Sequence, residues 1–287
     1  MRLAQTSWQA GDLRRTRSLL DSLATGSPGL RGWEWEYQRQ LLQPATRRLE
    51  EDPGVVFALE WSHEGSRIAA GTVLGVGLWD SDGKAIAKTP VGNDLISGVA
   101  FARDGGPLAA VSLDGTVALL DPVNGKVIST SNRPGASLTA VAISYDGSRI
   151  VTGSADGRIW CVEPPNWGLV WSAATEAATV TSLDIDSAKE RIAVGRLDGS
   201  VEIRLADTGV IQRRFSPIAP HACRSRFLPR GHEIATTGRD GLLRIWNVET
   251  GDCVATLAGH LGLVHSLSIS ADGTTLVSGG VDGTARL

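Results

Sequence analysis

The chain has 287 residues, 34 of them glycine, with 21% charged and 42% hydrophobic residues, which is a folded composition with room for one large or two small domains. Net charge is −3, and 24 of the 28 basic residues are arginine, with no basic block denser than Arg14, Arg15 and Arg17, which argues against nucleic acid as a partner. No run approaches roughly 18 apolar residues and residues 1–20 lack a signal-peptide core, so the chain alone reads as cytoplasmic, without a membrane segment.

In chain order, residues 1–45 read as a helical segment. Leu3, Ala4 and Trp8 mark a short helix that Gly11 ends. Asp12 can cap a second helix carrying Leu13, Leu19, Leu20 and Leu23. After a turn through residues 24–29, Trp33, Trp35, Tyr37, Leu41 and Leu42 mark a third, which Pro44 ends.

From residue 54 the periodicity becomes that of strands, and it repeats. Asp-Gly pairs stand at Asp114, Asp156, Asp198, Asp240 and Asp282, at intervals of 42 residues. A second landmark keeps the same step: Phe101, Ile143, Ile185, Phe227 and Ile269 precede another turn, at Asp104, Asp146, Ala188, Arg230 and Asp272. An earlier, slightly shorter unit puts Trp61 in the place of Phe101 and Trp79-Asp80 in the place of Leu120-Asp121. Within a unit the apolar runs are short and bounded by turn chemistry, as at Leu276-Val277 before Gly279 to Gly283. A fourth run closes each complete unit, as Val127-Ile128 or Cys253 to Ala255. Four antiparallel strands per unit make a small sheet with two apolar faces, which neighbouring units must cover. The geometry predicted is an all-β propeller of about five and a half to six blades, forming either a closed or an incomplete ring, over residues 46–287.

The residues Gly259-His260, Ser270 to Gly273, Ser278 to Gly283 and Asp240 to Asn247 together resemble the WD-repeat family, as does Trp79-Asp80. The resemblance implies a structural network of His, Ser or Thr, Asp and Trp within each blade. It assigns His260, Ser278 and Asp282 in the last unit, and Thr236, Asp240 and Trp246 in the unit before, where Ile218 replaces the His. Elsewhere the pattern erodes: Thr152 and Asp156 face Val162, and Asp198 has lost its partners to Val194 and Arg204. Such blades are expected to be held mainly by apolar packing, with a looser turn. Seven blades would need about 290 residues, more than residues 54–287 supply. We therefore expect the chain to be a piece of a longer one; in the alternative, residues 46–50 close a six-bladed ring as outer strand of the last blade. Residues 1–45 resemble the helical linker before the WD-repeat region of multidomain bacterial serine/threonine kinases, through Met1 to Gln5, Trp8, Gly11 to Leu13 and Leu30 to Tyr37.

No catalytic, cofactor or metal motif emerges. Gly75-Val76-Gly77 runs straight into Trp79-Asp80, and His232-Glu233 has Thr236 where a zinc motif needs a second His. His63, His221, His232 and His265 fall at different phases of the repeat, and Cys161, Cys223 and Cys253 read as buried strand residues. Recognition remains. The residue before each Asp-Gly turn, Leu113, Ala155, Leu197, Arg239 and Val281, should ring one propeller face, with Arg196 adding a second guanidinium. An apolar ring dotted with arginine suits a protein or peptide partner. The expected function is a non-catalytic scaffold or sensor module of a larger bacterial signalling protein, covalently linked to a kinase domain. The alternative is a ligand-binding or enzymatic propeller, which a convergent cluster of channel acids or His with shifted pKa values would favour.

Overall fold

The computed structural model describes residues 49, 54–103, 105–174, 178–186, 191–215, 224–229, 231–270 and 272–287. Two units divide the chain, Met1–Arg48 and Leu49–Leu287, and the described residues lie in the second. The helices expected over residues 1–45 fall outside them.

Among the described residues, twenty-three strands form six antiparallel meanders. The first sheet is β1 (Val56–Trp61), β2 (Arg67–Thr72), β3 (Gly75–Asp80) and β4 (Ala85–Thr89). The second is β5 (Ile96–Phe101), β6 (Leu108–Ser112), β7 (Thr116–Leu120) and β8 (Val127–Asn132). The third runs through β9 (Leu138–Ile143), β10 (Ile150–Ser154), β11 (Ile159–Glu163) and β12 (Gly168–Ala173). In the fourth stand β13 (Val180–Ile185), β14 (Arg191–Arg196), β15 (Val201–Leu205) and β16 (Ile211–Phe215). The fifth holds β17 (Ser225–Phe227), β18 (Glu233–Thr237), β19 (Leu242–Asn247) and β20 (Cys253–Ala258). The sixth has three strands, β21 (Val264–Ile269), β22 (Leu276–Gly280) and β23 (Ala285–Arg286). These are six blades of a β-propeller, with the first strand of each blade innermost.

The core is a series of layers between consecutive blades. Ala69, Val76 and Leu78 of the first blade meet Val99, Phe101 and Leu108 of the second. Val111, Val117 and Leu119 then meet Leu138, Val141 and Ile143; Val151, Ile159 and Cys161 meet Leu183, Ile185 and Ile192. Val201 and Ile203 meet Phe227, Ile234 and Trp246, and Ala235 and Leu243 meet Val264 and Leu267. Such a layer is missing between the sixth and first blades among the described residues: Leu59, Trp61 and Val277 stand exposed there. Trp61 occupies the sequence place of buried Phe101 but, among the described residues, has no preceding blade packed over it. Leu49 lies against the cluster of Ile68, Ala70 and Trp79, so this residue of the proposed closing segment packs on the first blade. The other residues of that segment fall outside the described ones.

A feature of the inner strands escaped the sequence reading. Each of five carries a register shift at the same place, skipping Phe57, Ser97, Thr139, Thr181 and His265. A bulge re-aims its side chain out of the sheet. Ser97 thereby donates to the Leu138 carbonyl and Thr139 to the Val180 carbonyl, both at 2.6 Å, linking one blade to the next. The hydroxyls at Ser97, Thr139 and Thr181, again 42 residues apart, were the available signal.

Candidate functional site

Each Asp-Gly turn is built by its own two residues. Gly115, Gly157, Gly199, Gly241 and Gly283 all have φ between 72° and 90°, where a side chain is strained. At Gly241 a Cβ would also collide with the His260 carbonyl. The Asp in front accepts the N–H two residues on, at 2.8 Å for Asp114, 3.2 Å for Asp156, 2.9 Å for Asp198, 3.1 Å for Asp240 and 3.0 Å for Asp282. The turn survives intact in the eroded blades because it needs only this carboxylate and glycine.

The structural residues fall into two incomplete sets. In the sixth blade His260 Nε2 lies 2.9 Å from Ser278 Oγ, and Nδ1 lies 3.0 Å from the Asp282 carboxylate. The Leu261 N–H donates to Asp282 at 2.9 Å and, with Thr284, holds this acid well below the usual carboxylate range. In the fifth blade Trp246 Nε1 donates to Thr236 Oγ1 at 2.8 Å, and Arg244 binds Asp240 at 2.6 Å. Burial acts to raise the Asp240 pKa, but the Arg244 hydrogen bond and the Leu242 N–H outweigh it and the pKa is lowered. Ile218 lies outside the described residues.

The fourth blade, expected to be held mainly by apolar packing, also contains a buried charged network. Arg204, in the place of the family's Trp, donates from Nη2 to Glu202 at 2.7 Å and from Nη1 to the Gly209 carbonyl at 2.8 Å. Arg196 reaches the same carboxylate at 3.3 Å and the Gly157 and Ala178 carbonyls at 3.2 and 3.0 Å. All three side chains are buried. Burial pushes the Glu202 pKa up, but Arg196 and Arg204 more than reverse this and keep the acid ionised. Arg196 is therefore not a guanidinium of the face. Cys161 is buried, whereas Cys253 is exposed on an outer strand, contrary to expectation; Cys223 lies outside the described residues.

At the Asp-Gly end four of the remaining positions share one backbone contact. The backbone N–H of Leu113, Ala155, Leu197 and Val281 donates to the carbonyl of Leu95, Ser137, Thr179 and Leu263, always 18 residues earlier. These bonds fix the four residues at one height on the rim. Leu197 is 45% and Val281 56% exposed, Ala155 and Arg239 are also exposed, and Leu113 is half-buried. The sequence reading missed the first blade, where the shortened turn presents Val73 and Leu74, 55% and 62% exposed. Leu261, beside Val281 through the Asp282 bond, is exposed as well.

The inner strands run away from that rim, and at their far end a cavity of about 490 Å³ opens on the channel. One residue per blade lines it at equivalent positions: Glu60, Ala100, Ala142, Asp184, Arg226 and Ser268. Asp184 accepts the Phe227 N–H at 2.7 Å and pairs with Arg226 Nη1 at 3.2 Å. Glu60 accepts the Phe101 N–H in the same manner, and burial drives its pKa up to about 7 against the pull of Arg226. Arg103 and His63 also line this end. The alanines of two blades leave the space that the charged groups of the others enter.

Comparison with known proteins agrees with this architecture. The family profile described as WD domain, G-beta repeat matches residues 125–161, 219–247 and 251–287. The described residues form a six-bladed β-propeller, and the segments that match the WD profile lie in its second, third, fifth and sixth blades. It is similar to nuclear distribution protein PAC1-2 of Uncinocarpus reesii, 48% identical over 60 residues, 21% of this chain and 13% of that protein. Nuclear distribution protein PAC1 of Arthroderma otae is 41% identical over 81 residues, 28% and 17% of the two chains. The periodic tryptophan protein 2 homolog of Dictyostelium discoideum is 40% identical over 62 residues, 21% and 7%. The chain thus spans less than a fifth of the length of these relatives, all of them eukaryotic. Among the described residues no helix is long and apolar enough to cross a membrane.

Proposed function

We propose that this protein is a non-catalytic interaction scaffold that binds a protein or peptide on the Asp-Gly end of the propeller. The observation that carries this reading is the rim itself. Val73, Leu74, Leu197 and Val281 are exposed apolar side chains at turn positions, accompanied by Arg239, on a rim fixed by repeated backbone bonds. The double substitution Leu197→Asp and Arg239→Asp should abolish partner capture while the melting temperature and circular dichroism stay unchanged. Undiminished capture by the folded double variant would sink the reading. A linked kinase domain, a bacterial signalling role and a cytoplasmic setting form the wider context we infer. Its support is the motif of residues 30–37 and the composition; the relatives, being eukaryotic, add none.

A second reading, a ligand site in the channel, is favoured by the convergence of Glu60, Asp184 and Arg226 from three blades on one cavity.

A further inference from the structure

We propose that the channel end opposite the Asp-Gly rim binds a monoanionic carboxylate, held by Arg103 and Arg226. The inference rests on the channel reading above and deepens it by naming the ligand class. Four charged side chains from four blades line the cavity: Glu60, Arg103, Asp184 and Arg226. Asp184 is already committed, to the Phe227 N–H and to one nitrogen of Arg226. The Arg226 side chain keeps 40% of its surface exposed, and Arg103 makes no side-chain hydrogen bond or ion pair among the described residues. Two guanidiniums therefore face the cavity with donors to spare, in the planar geometry that suits a carboxylate.

Charge complementarity selects the ligand. With Glu60 protonated the four groups leave one net positive charge, matched by one carboxylate. A phosphate group, carrying about −1.5 to −2, would overfill the site. With Glu60 ionised the net charge vanishes and a bound carboxylate would meet a second one in the same cavity. Burial puts the Glu60 pKa at about 7, so this exchange falls near neutral pH. The proton taken up comes from solvent and resides on the Glu60 carboxyl, which then donates a hydrogen bond. The other charged groups facing it are Arg226, Asp184 and Arg103, with His63 at the same end.

The carboxylate can belong to a free small acid or to an acidic side chain of a peptide, and two probes separate them: butyrate, and acetyl-Gly-Glu-Gly-amide. Calorimetric titration of the full chain should show binding about tenfold tighter at pH 6 than at pH 8, following the protonated fraction of a group with pKa near 7. Binding of both probes points to the free acid as sufficient, and binding of the peptide alone to a peptide carboxylate; either outcome supports the site. Arg103→Gln should lose at least tenfold in affinity while keeping its melting temperature. Glu60→Gln should bind equally at both pH values. The proposal is overturned by unchanged affinity in Arg103→Gln, or by a pH dependence that persists in Glu60→Gln and disappears in His63→Gln. It is also overturned if neither probe binds at pH 6. In that event, arginine side-chain NMR signals shifted by inorganic phosphate or butylammonium would keep the channel reading with another ligand class, and unshifted signals would end that reading too.

Discussion

One position of the repeat, held by Trp246, Val162 and Arg204 in three blades, shows what one side chain does to its neighbours. Where Trp246 meets Thr236, both polar atoms are satisfied. In the third blade Val162 occupies the Trp position, and the buried Thr152 hydroxyl is without a partner among the described residues. An unpaired buried hydroxyl opposes folding. Thr152→Val, which keeps the shape and removes the orphan, should stabilise the protein by about 1 kcal/mol, seen as a higher denaturant midpoint at unchanged slope. In the fourth blade the outcome differs, because Arg204 brings a charge that Glu202 neutralises together with Arg196. Glu202→Gln would leave two guanidiniums buried without their counter-charge, and should cost roughly 3–5 kcal/mol. Equilibrium unfolding measures it, and a loss below 1 kcal/mol would show that the network is dispensable.

At the scale of the element, the sixth blade depends on its acids more than any other. Val277, Ala285 and Leu287 are exposed where the equivalent positions of the other blades are covered, so the polar bonds carry a larger share. Hydrogen bonds to the Leu261 N–H, Thr284 and His260 depress the Asp282 pKa. Those to Ser270 and Thr274 bring Asp272 to about 2. A depressed carboxylate stabilises the fold above its unfolded pKa and loses that contribution as pH falls toward the folded value. The window therefore runs downward from about pH 4. Asp282→Asn should melt below the wild type at pH 6, and the difference should shrink steadily between pH 4 and pH 2.5. A constant difference would assign the effect to packing instead of charge. The turns themselves follow a simpler rule, since an Asx turn closes over glycine whether or not a His or Trp stands behind it.

For the whole molecule, the antiparallel meander separates two chemistries. The Asp-Gly turns gather at one end with exposed Val73, Leu197, Val281 and Arg239, and the inner strands carry Glu60, Asp184 and Arg226 toward the other. The two sites should act independently: Leu197→Asp with Arg239→Asp removes protein capture and leaves carboxylate titration in the channel unchanged. Coupling between them would require the blades to shift against one another. The shared apolar layers resist that at five junctions, and the junction of the sixth and first blades has no such layer among the described residues.

The repeating blades, the glycine turns and the common height of Leu113, Ala155, Leu197 and Val281 were legible in sequence because all are local and periodic. Turn chemistry acts over a few residues, and a 42-residue step repeats it in register. Other features could not be read this way. Whether Arg196 faces water or Glu202 depends on what the neighbouring strand and blade place beside it. Trp61 looks like Phe101 in sequence, and only the absence of a packed neighbour exposes it. Glu60, Asp184 and Arg226 stand at one phase of the repeat and could have been noticed there. Their meeting in one cavity, and the raised proton affinity of Glu60, arise from residues far apart in the chain sharing one space. Sequence determined the repeating unit; the radial arrangement of the units decided which side chains became neighbours, because burial and charge pairing depend on distance in space.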